Sequence, residues 1–280
     1  MEKLIINELL LRRFEKRLLE EEKSHSTIEK YLRDARRFAT HIGTQAADKA
    51  LVLSYKGELG RDYPPKSANS MLAALNALFR FAGREDLRVR QFRLQQEAYR
   101  PESEELTRED YVRLIAAAEN GKDEQTALLI QTVCGTGIRV SELGYITVEA
   151  AQKGETTVNC KGKTRRIFIV SALREKLLRY AERSGIISGP VFRTRGGKPL
   201  DRSNIWRRMK ALCGKAGIPP EKVFPHNLRH LFARTFYENE HDIAALADIL
   251  GHSSVNTTRI YIISTGAEHA KKLEDMRLVP

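Results

Sequence analysis

The feature that most restricts the fold is a change in apolar periodicity along the chain. Residues 1–93 repeat apolar side chains at intervals of three and four, which is the spacing of amphipathic helices. Residues 156–160 and 165–170 instead alternate apolar and polar side chains around the turn-like tetrapeptide KGKT. The sequence therefore predicts a mainly α-helical protein that contains one small β-hairpin.

A polar segment divides this pattern in two. Residues 95–105, QQEAYRPESEE, contain few apolar side chains and one proline, as is typical of a linker between domains. The chain has 280 residues, which is enough for two domains that each bury a core. We expect a four-helix N-terminal domain over 1–94, a linker over 95–106, a second domain over 107–265 and a C-terminal segment over 266–280.

The chain carries an excess of positive charge, and much of it is concentrated in one stretch. The formal net charge is +12, and residues 193–234 hold eleven Lys and Arg against two acidic side chains. A local excess of this size favours polyanion binding, although a basic helix face is often only solvated. The candidate nucleic-acid contacts lie on two predicted N-terminal helices and on a basic helix of the second domain: Lys30, Arg33, Arg36, Arg37, Lys66, Arg202, Arg207 and Arg208.

Two other classes of protein fit the sequence poorly. No run of about 18 apolar residues is present, so we expect neither a membrane span nor secretion. The three cysteines, Cys134, Cys160 and Cys213, lie far apart and form no CxxC pair. This usage suits a reducing cytoplasm better than a disulfide framework or a zinc ribbon.

The octapeptide PHNLRHLF (225–232) carries three basic side chains within about one helical turn: His226, Arg229 and His230. They could form a solvated helix face, a metal site or a phosphate-binding site. A zinc-protease helix needs a glutamate next to its first histidine, and that position here is Asn227. We therefore expect no metal. The chain also lacks the G-x-S-x-G motif of serine hydrolases, and CGTGIR (134–139) lacks the ending of a Walker phosphate loop.

Phosphodiester chemistry explains more of these residues. It needs cationic donors for the non-bridging oxygens, a nucleophile and a general acid for the leaving oxygen. Candidate donors are Arg139, which follows two nearby glycines, Arg229, and His252, which follows a glycine that ends a helix. Tyr261 comes nine residues after His252 and is a candidate nucleophile, and the predicted hairpin turn offers a lysine.

The order of these motifs resembles that of the tyrosine recombinases, the phage-integrase and Xer-type family. The matching stretches are CGTGIRVSEL (134–143), VNCKGKTRRIFIV (158–170), PHNLRHLFA (225–233) and LGHSSVNTTRIYI (250–262). The resemblance implies that the catalytic residues are Arg139, Lys161, His226, Arg229, His252 and Tyr261, with Lys163 as a substitute for Lys161. It also places Glu142 behind the arginines as a supporting carboxylate, and it gives His230 no catalytic role.

The same resemblance implies a fold and an activity. The expected fold is a SAM-like core-binding domain followed by an α+β catalytic domain. The expected activity is site-specific recombination of double-stranded DNA through a 3′-phosphotyrosyl intermediate, without cofactor or metal. Its partners would be copies of itself or a paralogue in a tetramer on DNA, joined through residues 266–280. A topoisomerase of the related type IB and a catalytically silent DNA-binding relative are the alternatives.

Overall fold

The computed structural model of the chain describes residues 3–94, 102–160, 163–262 and 274–276. The chain divides into two compact units, Met1–Gln96 and Glu97–Pro280. Among the described residues, no helix combines the length and the apolar content that crossing a membrane requires.

The first unit consists of four helices in its described part, as the apolar spacing predicts. Their bounds are α1 (Glu8–Glu20), α2 (His25–Ile42), α3 (Lys49–Asp62) and α4 (Pro65–Phe81). Phe38 lies at the centre of the core, with its ring centroid 5.2 Å from that of Tyr55 and 5.8 Å from that of Phe79. Aromatic rings at these separations contribute packing beyond the area they bury.

Two helix starts in this unit differ from the sequence pattern, which predicts a cap at Ser26 or Thr27 for the second helix and a start at Ala46 for the third. Ser24, rather than Ser26 or Thr27, caps α2, because its side chain accepts a hydrogen bond from the backbone N–H of Thr27. The third helix begins at Lys49 rather than Ala46, since the Asp48 side chain accepts from the N–H of Leu51 and caps the helix there. In both cases another capping residue nearby in sequence takes the position.

The second unit, in its described part, has eight further α-helices around one two-stranded sheet. The helices are α5 (Arg108–Asn120), α6 (Glu124–Thr136), α7 (Val148–Lys153), α8 (Ser171–Arg183), α9 (Arg202–Ala216), α10 (Pro225–Glu240), α11 (Ile243–Leu250) and α12 (Val255–Arg259). A 3₁₀ helix over Val140–Tyr145 follows α6. The main core packs side chains of α5, α6, α8 and α9 against Leu228 of α10.

The predicted hairpin is present. Strands β1 (Glu155–Cys160) and β2 (Lys163–Phe168) pair antiparallel, with Val158 opposite Arg165 and Cys160 opposite Lys163. Ile167 is buried, whereas its neighbour Phe168 is 59% exposed. Arg165 lies two residues before Ile167, so its side chain points to the same, inner face of the hairpin.

Two glycines end helices beside the basic motifs. Gly137 ends α6 and Gly251 ends α11, both in the left-handed conformation that favours glycine. A Cβ at Gly137 would lie 2.6 Å from the Phe232 ring, and one at Gly251 would lie 2.4 Å from Cδ of Arg165. Neither position can accept a side chain without displacing its neighbour, and this explains the glycines in CGTGIR and LGH.

The sequence pattern also predicts a helix start at Arg139, a helix cap at Ser171 and a helical position for Tyr261, and the last two are wrong in detail. Arg139 does lie at a helix start, and that helix is a 3₁₀ helix. Ser171 is the first residue of α8 rather than its cap, which is Val170. Tyr261 lies just beyond α12, because that helix ends at Arg259 after only five residues. The tyrosine is therefore held mainly by contacts with other elements, since so short a helix has little stability of its own.

Candidate active site

The site is built where α11 ends. The last carbonyl groups of a helix have no partner within the helix and carry its negative dipole end, so they attract cationic donors. Three arginines from three different elements use them here. Arg165 of β2 donates to the carbonyl of Ile249 at 2.6 Å, Arg229 of α10 donates to that of Leu250 at 2.7 Å, and Arg139 donates to that of Gly251 at 3.5 Å.

Arg229 is the most deeply buried of the three, at 1% exposure. Its guanidinium donates to the carbonyl of Gly137 at the end of α6 and also lies 3.1 Å from Nε2 of His252. Burial, followed by the charges of Arg139 and Arg165, lowers the pKa of Arg229 to about 10, so the group stays charged at neutral pH. Concentrated positive charge of this kind favours an anion such as a phosphodiester.

Glu142 joins two of the arginines from behind. It is 2% exposed, and its carboxylate accepts from Nη1 of Arg139 at 3.1 Å, from the Arg139 backbone N–H at 3.0 Å and from Nη2 of Arg165. Burial raises the pKa of Glu142, but the Arg139 N–H and the two guanidinium groups outweigh it and bring the pKa below its usual range. The carboxylate is therefore ionised and fixes the orientation of both side chains.

Replacing Glu142 with glutamine is expected to lower the free energy of unfolding at neutral pH by about 3 kcal/mol, because the nearly buried Arg165 and the half-buried Arg139 lose their counter-charge. The folded pKa lies below the unfolded value, so this stabilisation is complete above the ordinary glutamate pKa and is lost as the pH falls through the folded pKa. Urea titrations of wild type and variant across this pH range measure the difference.

The matched control is Glu155→Gln, which breaks a pair with the exposed side chain of Arg166 on the outer face of the same hairpin. It should change stability little. A deficit in the Glu142 variant that stays constant on acidification would contradict the ionic role of Glu142.

Tyr261 and His226 meet across the surface of the arginine cluster. The Tyr261 hydroxyl lies 2.9 Å from Nε2 of His226, and Tyr261 is 7% exposed. The guanidinium carbon of Arg229 lies 5.7 Å from the centroid of the Tyr261 ring. A phenol in this position has a neighbour that can take its proton and a cation that stabilises negative charge on its oxygen.

His252 is neutral in this arrangement. Burial, and then the charges of Arg229, Arg139 and Arg165, lower the pKa of His252 to about 4. Because a guanidinium can only donate, Nε2 of His252 must be the acceptor towards Arg229, so the ring proton sits on Nδ1 and is donated to Oγ1 of Thr258 at 2.9 Å. To donate to a phosphate, Nε2 would have to gain a proton when the anion binds.

The structure brings together five of the six predicted catalytic residues: Arg139, His226, Arg229, His252 and Tyr261. Lys161 lies outside the described residues. Its substitute Lys163 is the first residue of β2, where its backbone pairs with Cys160. The predicted roles of both lysines therefore stay predictions.

Two residues of the cluster were not among the candidates. Arg165 could have been found from the hairpin alternation, which places a charged side chain on the same face as buried Ile167. Thr258 is fully buried against His252 and had no comparable signal in the sequence, because threonine is common in helices near the surface.

Some of the candidate DNA contacts on the first unit also have structural roles. Lys30 donates to Asp34 at 2.6 Å and to the carbonyl of Ser70 at 2.9 Å, so its ammonium group supports the packing of α2 on α4. Arg37 contacts Tyr63, and its guanidinium lies over the Tyr63 ring. Arg37 is nevertheless exposed, as are Arg33, Arg36 and Lys66, and Arg36 donates to Glu8 of α1 at 3.0 Å.

The candidates on α9 differ in the same way. Arg202 and Arg207 are exposed, and Arg207 donates only to Asn204 of its own helix, at 3.1 Å, in the bonds described. Arg208 is half-buried and donates to Oε1 of Gln125 at 2.6 Å. Arg202 and Arg207 are therefore better placed than Arg208 to contact an external polyanion.

The described ranges contain no group of three or more His, Cys, Asp or Glu side chains arranged to hold a metal ion. The two histidines of PHNLRHLF, His226 and His230, both contact Tyr261. Their rings face each other edge to face, with centroids 5.7 Å apart.

Comparison with known proteins identifies both units. Residues 104–268 match the phage integrase family, and residues 11–86 match the N-terminal SAM-like domain of phage integrases. These two matches cover nearly all of the four α-helices of the first unit and the whole cluster around Arg229.

Curated relatives and solved structures agree. The chain is 34% identical to the tyrosine recombinase XerA of Pyrococcus furiosus, over 90% of this chain and 88% of that protein. It is 32% identical to the tyrosine recombinase XerD of Rhizobium meliloti, over 83% and 82% of the two chains. A crystal structure of XerA recombinase aligns with a TM-score of 0.55 at 25% identity, covering 97% of this chain and 99% of that one.

A lambda integrase tetramer bound to a Holliday junction shares the fold, with a TM-score of 0.73 at 20% identity over 90% of this chain and 76% of that one. Family, relatives and fold thus agree with the site geometry. The chain belongs to the phage integrase family, the tyrosine recombinases.

Proposed function

We propose that this chain is a site-specific DNA recombinase that cleaves and rejoins DNA through Tyr261. The observation that carries the proposal is the 2.9 Å contact between the Tyr261 hydroxyl and Nε2 of His226, next to the buried guanidinium of Arg229. A tyrosine is mostly protonated near neutral pH, so a neighbouring acceptor is what makes it a useful nucleophile.

In the proposed reaction Arg139 and Arg229 hold the non-bridging oxygens of one phosphodiester. The Tyr261 oxygen bonds to phosphorus and its proton passes to His226. The bond between phosphorus and the 5′ oxygen breaks, and a lysine of the hairpin, Lys161 or Lys163, protonates that oxygen. The 3′-phosphotyrosyl ester retains the free energy of the original bond, so rejoining to another 5′ hydroxyl needs no nucleotide cofactor.

We propose further that double-stranded DNA is the substrate for both units. The exposed basic side chains Arg33, Arg36 and Lys66 on the first unit, and Arg202 and Arg207 on the second, supply phosphate contacts. Crystal structures of related proteins are described as XerH bound to its difH substrate and lambda integrase bound to a Holliday junction. A tetramer on DNA, assembled through residues 266–280 and working in the cytoplasm, completes the proposal; most of that segment lies outside the described residues.

Covalent capture tests this function even though the target sequence is not specified. The full chain is incubated with a pool of duplexes that carry a randomised central segment and a nick, and protein–DNA adducts are isolated under denaturing conditions. We expect adducts enriched in one sequence, in which the DNA is attached by its 3′ phosphate and a free 5′ hydroxyl remains. Adducts attached by a 5′ phosphate, or none at all, would overturn the proposal.

The captured sequence then separates recombinase from topoisomerase. Two differently labelled duplexes that contain the sequence should exchange strands in a complex of four protein chains. A topoisomerase would relax supercoiled DNA as a single chain and join no strands between duplexes. Binding should weaken steeply with added salt in both cases, since phosphate contacts release counterions.

A further inference from the structure

His230 contacts the proposed nucleophile directly. It lies one helical turn after His226 on α10, on the same face of the helix. The ring of His230 stacks on that of Tyr261, with the centroids 4.3 Å apart and the planes 25° from parallel. The other two histidine rings near Tyr261 are more tilted, at 51° for His226 and 39° for His252.

Tyr261 needs such a contact because its own segment holds it weakly. The residue follows the five-residue helix α12, and its backbone N–H bonds only to the carbonyl of Thr258, at 2.9 Å, in the contacts described. His226 cannot provide the position alone, because it is itself exposed and meets Tyr261 at the tip of the phenol. His230 is half-buried on a long helix and so offers a firmer surface.

We propose that His230 is a positioning residue, whose ring plane orients the Tyr261 phenol so that its hydroxyl meets His226 and faces the phosphate. This inference rests on the proposed role of Tyr261 as nucleophile. The proposed role of His230 affects only the step in which Tyr261 attacks. Phosphate binding depends on the arginines and should not change when His230 is replaced. Aromatic rings prefer near-parallel offset stacks at this separation, so the ring plane, rather than the imidazole nitrogens, is the property that matters.

Three substitutions separate ring plane, volume and charge. His230→Phe keeps a flat ring and removes the nitrogens, His230→Leu keeps apolar volume and removes the plane, and His230→Ala removes both. We expect the phenylalanine variant to form the covalent adduct at close to the wild-type rate. The leucine and alanine variants should be slower by about tenfold to a hundredfold, since a lost stack and a misplaced nucleophile have effects of this order.

A second substrate provides a readout that a purely structural role would not produce. It is a duplex of the captured sequence whose cleaved strand ends in a 3′-p-nitrophenyl phosphate beside a free 5′ hydroxyl. The 5′ oxygen bonds to phosphorus, p-nitrophenolate leaves, and the hydroxyl proton passes to the base that serves rejoining. To keep Tyr261 from attacking the same ester, the joining is measured with Tyr261→Phe present in every chain, and all three His230 variants should then perform it at the rate of Tyr261→Phe alone.

The control is His241→Asn, which removes a histidine ring that packs edge-on against Tyr237 at the end of the same helix. His241 has a left-handed backbone that asparagine tolerates, and adduct formation should not change. Three results would each overturn the positioning role. They are adduct formation at the wild-type rate by His230→Leu, slow adduct formation by His230→Phe, and equal losses in adduct formation and joining. If Tyr261→Phe formed adduct, the proposed function itself would be wrong, whatever the His230 variants do.

Discussion

Replacing Tyr261 with phenylalanine is expected to abolish the covalent protein–DNA adduct while DNA binding persists. Phenylalanine keeps the ring that packs beside Ala233, Leu246 and Leu250 and loses only the oxygen that attacks phosphorus. The lost hydroxyl contact with His226 should change the free energy of unfolding by no more than about 1 kcal/mol. Denaturing gels of the captured nicked duplex measure the adduct, and mobility shifts at fixed salt measure binding.

A second tyrosine in the same unit provides the control. The Tyr180 hydroxyl accepts a hydrogen bond from Nε2 of Gln125 at 2.8 Å, well outside the arginine cluster, so Tyr180→Phe removes an equivalent group without touching the site. That variant should form adduct at the wild-type rate. The Tyr261 variant should also still join the p-nitrophenyl ester, because that reaction needs no protein nucleophile. Adduct formed by Tyr261→Phe would show that another residue attacks the phosphate.

The sequence was most informative where geometry is local. The spacing of His226, Arg229 and His230 on one helix follows from 3.6 residues per turn, and the structure places both His226 and Arg229 next to Tyr261. The mainly helical fold with one hairpin followed from periodicity in the same way. These predictions depend only on neighbours in the chain, and so they could be made without tertiary information.

The sequence was least informative where several elements meet. Nothing in the chain indicated that Arg139, Arg165 and Arg229 would share the carbonyl groups at the end of α11, because those contacts join residues up to 112 positions apart. The position of Tyr261 beyond α12, and the stack that His230 makes with it, depend on the same packing. His230 had no role in the sequence pattern because the contact that suggests one is formed only in the folded protein.

Replacing Arg229 with lysine is expected to slow adduct formation by about 10²–10³-fold, the range typical of losing one preorganised donor to a developing anion. Lysine keeps the charge but has one donor nitrogen in place of Nη1 and Nη2, which donate separately to the carbonyls of Gly137 and Leu250, so it cannot keep both contacts and present a fork to the phosphate. Single-turnover cleavage of the captured duplex measures the loss. Arg234→Lys is the control on the same helix: its partners are the carboxylates of Glu105 and Glu238, which accept a lysine equally well.

Because Arg229 is buried and also supports the fold, its effect on the reaction rate must be separated from its effect on folding. A duplex with a methylphosphonate at the cleaved position replaces one charged oxygen by a neutral methyl group, so less negative charge develops during attack. If Arg229 stabilises that charge, the penalty of Arg229→Lys should be much smaller on the methylphosphonate than on the phosphodiester. A folding defect would lower both rates by the same factor. If Arg229→Lys slowed cleavage of the two substrates by the same factor, Arg229 would not stabilise the phosphate charge, and its role would be to support the ends of α6 and α11.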